Sequence, residues 1–248
     1  MRPIVVGYSG TEASLDGLAL GAMLARARRA HLIALYVDRD DHRFSQVDFE
    51  SQADLRTRLA KLHELAEPVL ERLGSHFEVR AIGGVSAPRA LHEFARDERA
   101  GLVVVGSSKA GPIRRVTLGS TAARLFVEAS CPVAVAPRGF AKHAERSITT
   151  VGVAVDGSPS LHASLAEATA IARDAGASLM PITVEPGAGA HTRRVAHARA
   201  EASEALDLLV VGAREPGGLR HLGIGSVSRR LLPTSTSALV VVPEGVGR

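Results

Sequence analysis

The sequence is poor in aromatic residues: six Phe, two Tyr and no Trp in 248 residues. Proteins that read single-stranded nucleic acid stack bases on aromatic side chains, and this chain has few to offer. Cys131 is the only cysteine. That excludes an internal disulfide and a multi-cysteine metal site, and it fits a reducing, cytoplasmic setting. No apolar run approaches the roughly 20 residues of a membrane span. Met1-Arg2-Pro3 leads directly into an apolar strand pattern, so no leader peptide is expected. Lysine is scarce as well: 27 of the 30 basic residues are Arg, and the net charge is only +4. Such a balance makes a poor case for specific nucleic-acid binding, while leaving room for small anions.

What is present is a regular alternation of short β-branched runs with Ala/Leu helical patterns. The chain is long enough for two domains, and 46% hydrophobic content can fill their cores. Strands are expected at 4–7, 31–37, 77–82, 101–106 and 132–137, with helices at 12–29, 49–73, 88–99 and 120–129. The strand at 77–82 alternates and has one polar face, which places it near a sheet edge. Ser9 and Glu12 have capping-box spacing, which makes Ser9 the expected cap of the first helix. Residues 138–146 are charged and non-periodic and read as a linker. The pattern then restarts: strands at 150–155, 178–184, 208–212 and 239–242, and helices at 159–175 and 193–205. Pro181 marks its strand as an exposed edge or bulge. The expected domains are therefore 1–140 and 147–248, the second shortened by one strand and the long helix. Alternating strands and helices imply parallel α/β sheets with right-handed crossovers.

One motif recurs. Val103-Val104-Val105-Gly106 is followed 13 residues later by Gly119-Ser120-Thr121, and Leu208-Leu209-Val210-Val211-Gly212 by Gly225-Ser226 at the same spacing. Each copy reads as strand, loop and helix N-terminus, where unpaired backbone N–H groups favour an anion.

This motif, with Cys131-Pro132-Val133-Ala134-Val135 behind it, resembles the universal stress protein family. The likeness covers nearly the whole chain, twice, as in a tandem two-domain member. It implies flavodoxin-like sheets of strand order 3-2-1-4-5. It also implies an adenine-nucleotide site in which the loop glycines and Ser hold phosphates and ribose. An Asp after the first strand and a Val ending the second contact the nucleoside. Gly106, Gly119, Ser120, Thr121 and Val37 fit this pattern in the first half, but Lys109 replaces the middle glycine and Ser9 replaces the Asp. In the second half Asp156, Val184, Gly212, Gly225 and Ser226 fit, but Glu215 replaces the middle glycine. The same resemblance implies that the last strands of the two halves, at Val133–Ala136 and Leu239–Val242, pair with one another. In the family such pairing is usually between separate chains.

Each residue also has a plainer reading. Gly106 and Gly212 could serve a tight turn, Ser120 and Ser226 could cap helices, and Lys109 could be a solvated charge. Arg114, Arg115 and Arg220 lie within the spacers as solubilising or phosphate-binding charges. Cys131 reads as a small buried hydrophobe. His63, His92, His191 and His197 lack zinc-site spacing, so no metal site is expected beyond Mg²⁺ carried by ATP. The leading functional reading is a non-catalytic stress-response module that binds ATP or another adenine nucleotide, with protein partners and a possible homodimer. A scaffold that has lost nucleotide binding and a slow ATPase are the alternatives.

Overall fold

The computed structural model describes residues 1–38, 49–108, 116–143, 147–155, 160–183, 206–213 and 237–243. In chain order these give β1 (Ile4–Gly7), α1 (Glu12–Arg28), β2 (Leu32–Asp38), α2 (Phe49–Leu73), β3 (Phe77–Gly83), α3 (Ala87–Asp97), β4 (Leu102–Gly106), α4 (Ser120–Glu128) and β5 (Val133–Ala136). A 3₁₀ turn (Phe140–His143) leads to β6 (Thr150–Val155), α5 (Leu161–Ala175), β7 (Ser178–Thr183), β8 (Leu208–Gly212) and β9 (Ala238–Val242). The expected helix at 193–205 lies outside the described residues.

The strands form one sheet in the order β3-β2-β1-β4-β5-β9-β8-β6-β7. Its first five strands are mutually parallel and have the expected 3-2-1-4-5 order. The remaining four are parallel among themselves. The two arrays meet at an antiparallel seam, with Val133 opposite Val241, Ala134 opposite Val240 and Val135 opposite Leu239. The pairing of the last strands is therefore within the chain, and two expected sheets are one. The seam has a physical motive: β5 and β9 are short and wholly apolar, and each gives the other the hydrogen-bonded neighbour an open edge would lack.

Strand alternation divides the core between the two faces. Ile4, Val6, Leu102, Val104, Val240 and Val242 point to the side covered by α1, α2 and α5. Val5, Val103, Val105, Leu239 and Val241 point to the side of α3 and α4, with Leu91, Leu125 and Phe126. Both clusters run across the seam, and each buried Val or Leu contributes about 1.5–3 kcal/mol of transfer free energy. Helix α1 is buried without interruption from Asp16 to Ala25, because α2 and α5 pack on it while it packs on the sheet. Gly17 and Gly21 permit this approach: a Cβ on Gly17 would lie 2.9 Å from the backbone N of Gly106.

The described part of the stretch read as a linker, residues 138–143, is docked. Asp16, only 3% exposed, accepts hydrogen bonds from the N–H groups of Gly139 (2.7 Å) and Ala141 (2.8 Å). Burial raises its carboxyl pKa, and these two bonds oppose the rise. At the far edge, Pro181 lies in β7, which among the described strands pairs only with β6 and is largely exposed, as an edge strand carrying proline should be.

Candidate functional site

In a parallel α/β sheet, ligands bind beyond the carboxyl ends of the strands where the winding reverses. Here that point lies between β1 and β4. A cleft of about 460 Å³ opens there, lined by residues that include Tyr8, Ser9, Thr11, Val37, Asp38 and Thr121. Gly7 and Gly106, the last residues of β1 and β4, line its floor.

The structure brings Ser9, Val37, Gly106 and Thr121 together on this cleft. Gly119 and Ser120 stand beside Thr121 at the start of α4. Gly212 ends β8 in the other array. Lys109, Asp156, Val184, Gly225 and Ser226 lie outside the described residues, as do Arg114, Arg115, Glu215 and Arg220.

Ser9 is not the cap of α1. Thr11 is: its Oγ1 accepts a hydrogen bond from Ser14 N at 3.3 Å, and the helix starts at Glu12. The Ser9 hydroxyl lies 3.3 Å from Thr11 Oγ1 on an exposed part of the cleft wall. The capping box fails because Glu12 is the first helical residue, and a box needs its Glu three residues past the cap. Thr11, which immediately precedes Glu12, takes the capping position instead.

Gly106 is glycine for a reason the spacing does not reveal. A Cβ there would fall 1.6 Å from the carbonyl oxygen of Ala13. The first turn of α1 is pressed against the end of β4, so neither a turn nor a ligand is needed to explain this glycine. Gly212 repeats the relation: its Cβ would meet Ser160 Oγ at 2.2 Å and Ser160 Cβ at 2.7 Å. Gly119 differs from both. Its φ of −82° suits any residue, and among the described residues a Cβ would find nothing closer than Ser108 Cβ at 3.7 Å. Among the described residues, packing does not require glycine at this position.

Helix α4 has no side-chain cap. Its first-turn N–H groups are the natural anion position of the site. The chain on either side of 109–115 is held firmly: Ser108 N donates to Thr117 O at 2.8 Å, and Ser107 Oγ donates to Ala136 O at 2.7 Å. Ser107 Oγ also accepts from Thr117 N at 3.3 Å.

The other end of the cleft carries groups that motif reasoning missed. Asp38, the last residue of β2, has its side chain 15% exposed and lies 3.6 Å from Arg58 Nη1. Arg58 also donates to Tyr36 Oη at 3.1 Å and lies over the Tyr36 ring. Tyr8 donates its hydroxyl to Leu62 O at 3.1 Å, and burial pushes its pKa up to about 12. It is a fixed donor rather than a base. The signal for Asp38 was adjacency: it directly follows Val37, but its polar character reads as the start of a loop. Among the described residues no three His, Cys, Asp or Glu side chains are grouped to hold a metal. Nor is any described helix long and apolar enough to cross a membrane. Cys131 is buried, and its thiol pKa is raised to about 11 by burial first and by Glu167 second, consistent with a packing role.

Comparison with known proteins agrees with this fold. The model of the universal stress protein family matches residues 1–137. A universal stress protein of Mycolicibacterium smegmatis is 32% identical over 139 residues, covering 55% of this chain and 99% of the relative. One from Methanocaldococcus jannaschii is 28% identical over 139 residues, covering 54% of this chain and 81% of the relative. The crystal structure of a universal stress protein from Archaeoglobus fulgidus superimposes over 100% of this chain and 98% of its own length, with a TM-score of 0.66 at 16% identity. That match shows the fold, including its extent across both arrays. The family match spans more than half of the chain and contains the whole β1/β4 cleft: the chain belongs to the universal stress protein family.

Proposed function

We propose that the β1/β4 cleft binds an adenine nucleotide, and that the protein is a non-catalytic, nucleotide-responsive member of its family built as a tandem pair of domains, 1–140 and 147–248. The observation that carries this reading is the start of α4. A helix N-terminus without a side-chain cap, where no described residue crowds Gly119, adjoins a cleft of about 460 Å³, within the usual range for small-molecule sites. The N–H groups of Ser120 and Thr121 would hold phosphate, with their hydroxyls as further donors. Ser9, Val37 and Asp38 would hold the nucleoside. The family's Asp is absent at position 9, and Asp38 supplies a carboxylate from the neighbouring strand. Magnesium, if carried in, would ride on the phosphates. The cleft is too small for a macromolecule.

Asp38 is the only acidic side chain lining the cleft among the described residues, and it already faces Arg58. Among the described residues a hydrolytic role would lack a dedicated base for water, which favours binding over ATPase activity. The scaffold reading draws on one observation. Edge strand β7 exposes Leu179 (36%) and Met180 (40%), a surface suited to protein contacts. A homodimer would not form through β5 or β9, because the two strands occupy each other.

Native mass spectrometry of the purified protein tests the binding reading. The expected result is a mass increment of one adenine nucleotide that disappears on unfolding. Protein that carries none, and takes up none of ATP, ADP or AMP at millimolar concentration, would leave the scaffold reading.

A further inference from the structure

The opposite end of the sheet holds a larger cleft that the family's nucleotide site does not use. It is about 820 Å³ in volume and lies beneath the amino ends of β1 and β4, between the last turns of α1, α3 and α5. Six arginines line it: Arg2, Arg28, Arg29, Arg96, Arg99 and Arg173. The acidic side chains among its described lining are Glu167 and Asp174.

The simplest reading is that these arginines offset helix dipoles, because three helix C-termini converge here. Each C-terminus is equivalent to about −0.5 charge, or roughly −1.5 for three. Six arginines against two carboxylates leave +4, well beyond what the dipoles need. The carboxylates are also committed. Glu167 lies 2.6 Å from Arg28, and Asp174 is shared by Arg28 at 4.0 Å and Arg173 at 3.2 Å. Arg96 pairs with its neighbour Asp97 at 3.1 Å. Arg2, Arg29 and Arg99 form no salt bridge among the described residues.

The backbone supplies an independent observation. Among the described residues, Arg29 and Arg99 are the non-glycine residues with positive φ, at 51° and 53°. Both follow the ends of helices, in the left-handed position that usually belongs to glycine. Helix α5 follows the usual rule, with Gly176 at φ 65°. Arginine is conformationally unfavourable at such positions, and both instances among the described residues face this one cleft. Their side chains, rather than their backbone preference, account for the choice.

We propose that this cleft is a second ligand site, for a linear oligophosphate that carries no aromatic base. The guanidinium forks offer paired N–H donors to phosphate oxygens. The cleft is the size of a small-molecule site. No Phe, Tyr or His lines it among the described residues, so there is no ring on which a base could stack.

The test is calorimetric titration of inorganic tripolyphosphate into the full chain, the Arg29→Gly/Arg99→Gly double variant, Arg2→Gln and Gly119→Asp. Glycine at 29 and 99 suits the backbone, so the double variant should melt no lower than the wild type while binding tripolyphosphate about tenfold or more weakly. Arg2→Gln should weaken binding by a smaller factor, and added salt should weaken it in every protein. Gly119→Asp blocks the α4 anion position of the proposed nucleotide site, so the tripolyphosphate binding that remains in this variant should be that of the arginine cleft. Equal affinity in the wild type and the double variant would overturn the proposal. So would loss of binding in Gly119→Asp, which would place the phosphate at α4. Tighter binding of duplex DNA than of tripolyphosphate, sensitive to the same arginines, would also overturn it in favour of a nucleic-acid surface.

Discussion

Gly106 and Gly212 end corresponding strands in the two arrays, yet they are held with different stringency. At Gly106 an added methyl would meet the backbone carbonyl of Ala13. At Gly212 its closest neighbour would be the side-chain hydroxyl of Ser160. Backbone cannot rotate aside, whereas a serine hydroxyl can move, although Ser160 Cβ at 2.7 Å still demands a shift. The repeated motif thus encodes a repeated packing solution, in which a helix start rests on a strand end. The first array enforces it more strictly. A shared glycine is evidence of shared architecture before it is evidence of a shared ligand.

The comparison can be broken by mutation. Gly106→Ala should cost about 3 kcal/mol or more, because the α1 start must move. Gly212→Ala should cost about 1–2 kcal/mol. Urea denaturation of both variants measures the difference, and equal losses would remove the claimed asymmetry. Asp16 comes next. Asp16→Ala strands the N–H groups of Gly139 and Ala141 and should cost about 2–3 kcal/mol. Its pH dependence has a definite sign. Burial raises the folded-state pKa above 3.8, so the folded protein holds this proton more tightly than the unfolded chain. The stabilising contribution of that proton is full below 3.8 and is lost as pH rises through the folded pKa. Relative to Asp16→Asn, the wild type should gain stability as pH falls through the range just above 3.8. A flat difference between the two melting profiles would contradict this.

The architecture was legible in the sequence because hydrophobic periodicity carries it. The strand–helix alternation follows from short β-branched runs, and the edge positions of β3 and β7 from a polar face and a proline, whereas the 3-2-1-4-5 order and the β5–β9 pairing were what the family resemblance implied. What escaped was set by tertiary contact. Nothing local in Asp16 indicates that it anchors a turn more than 120 residues away. The cap of α1 shifted from Ser9 to Thr11 because both are competent caps and only the true helix start distinguishes them. Asp38 looked like the beginning of a loop, and only the neighbouring strands place it on the cleft. The arginine cleft is assembled from chain segments far apart in sequence, so no motif could announce it.

A smaller effect sharpens the contrast between the halves at the ligand level. The first loop carries Lys109 and the second Glu215. A carboxylate about 4 Å from a phosphate charge costs roughly 1 kcal/mol in water, more where water is excluded. If one half alone takes a triphosphate, it should be the first. Lys109→Glu should weaken ATP binding severalfold, most at low salt, whereas Glu215→Gly should create or improve a second, weaker site. A fluorescent ATP analogue titrated into both variants reads the two effects. An unchanged Lys109→Glu curve would show that the first-half loop does not face the phosphates.

Calorimetric titration of ATP into the wild type and Gly119→Asp tests the central claim most directly. Position 119 has ordinary backbone angles and, among the described residues, room for a side chain, and Asp is favourable at a helix start, so the variant should fold with undiminished stability. Its carboxylate would occupy the anion position at α4. The account predicts one ATP per first-half cleft in the wild type and at least a hundredfold weaker binding in Gly119→Asp, in line with about 3 kcal/mol for a buried like-charge contact. Equal affinity in the two proteins would contradict it, because the phosphates would then lie somewhere other than the start of α4.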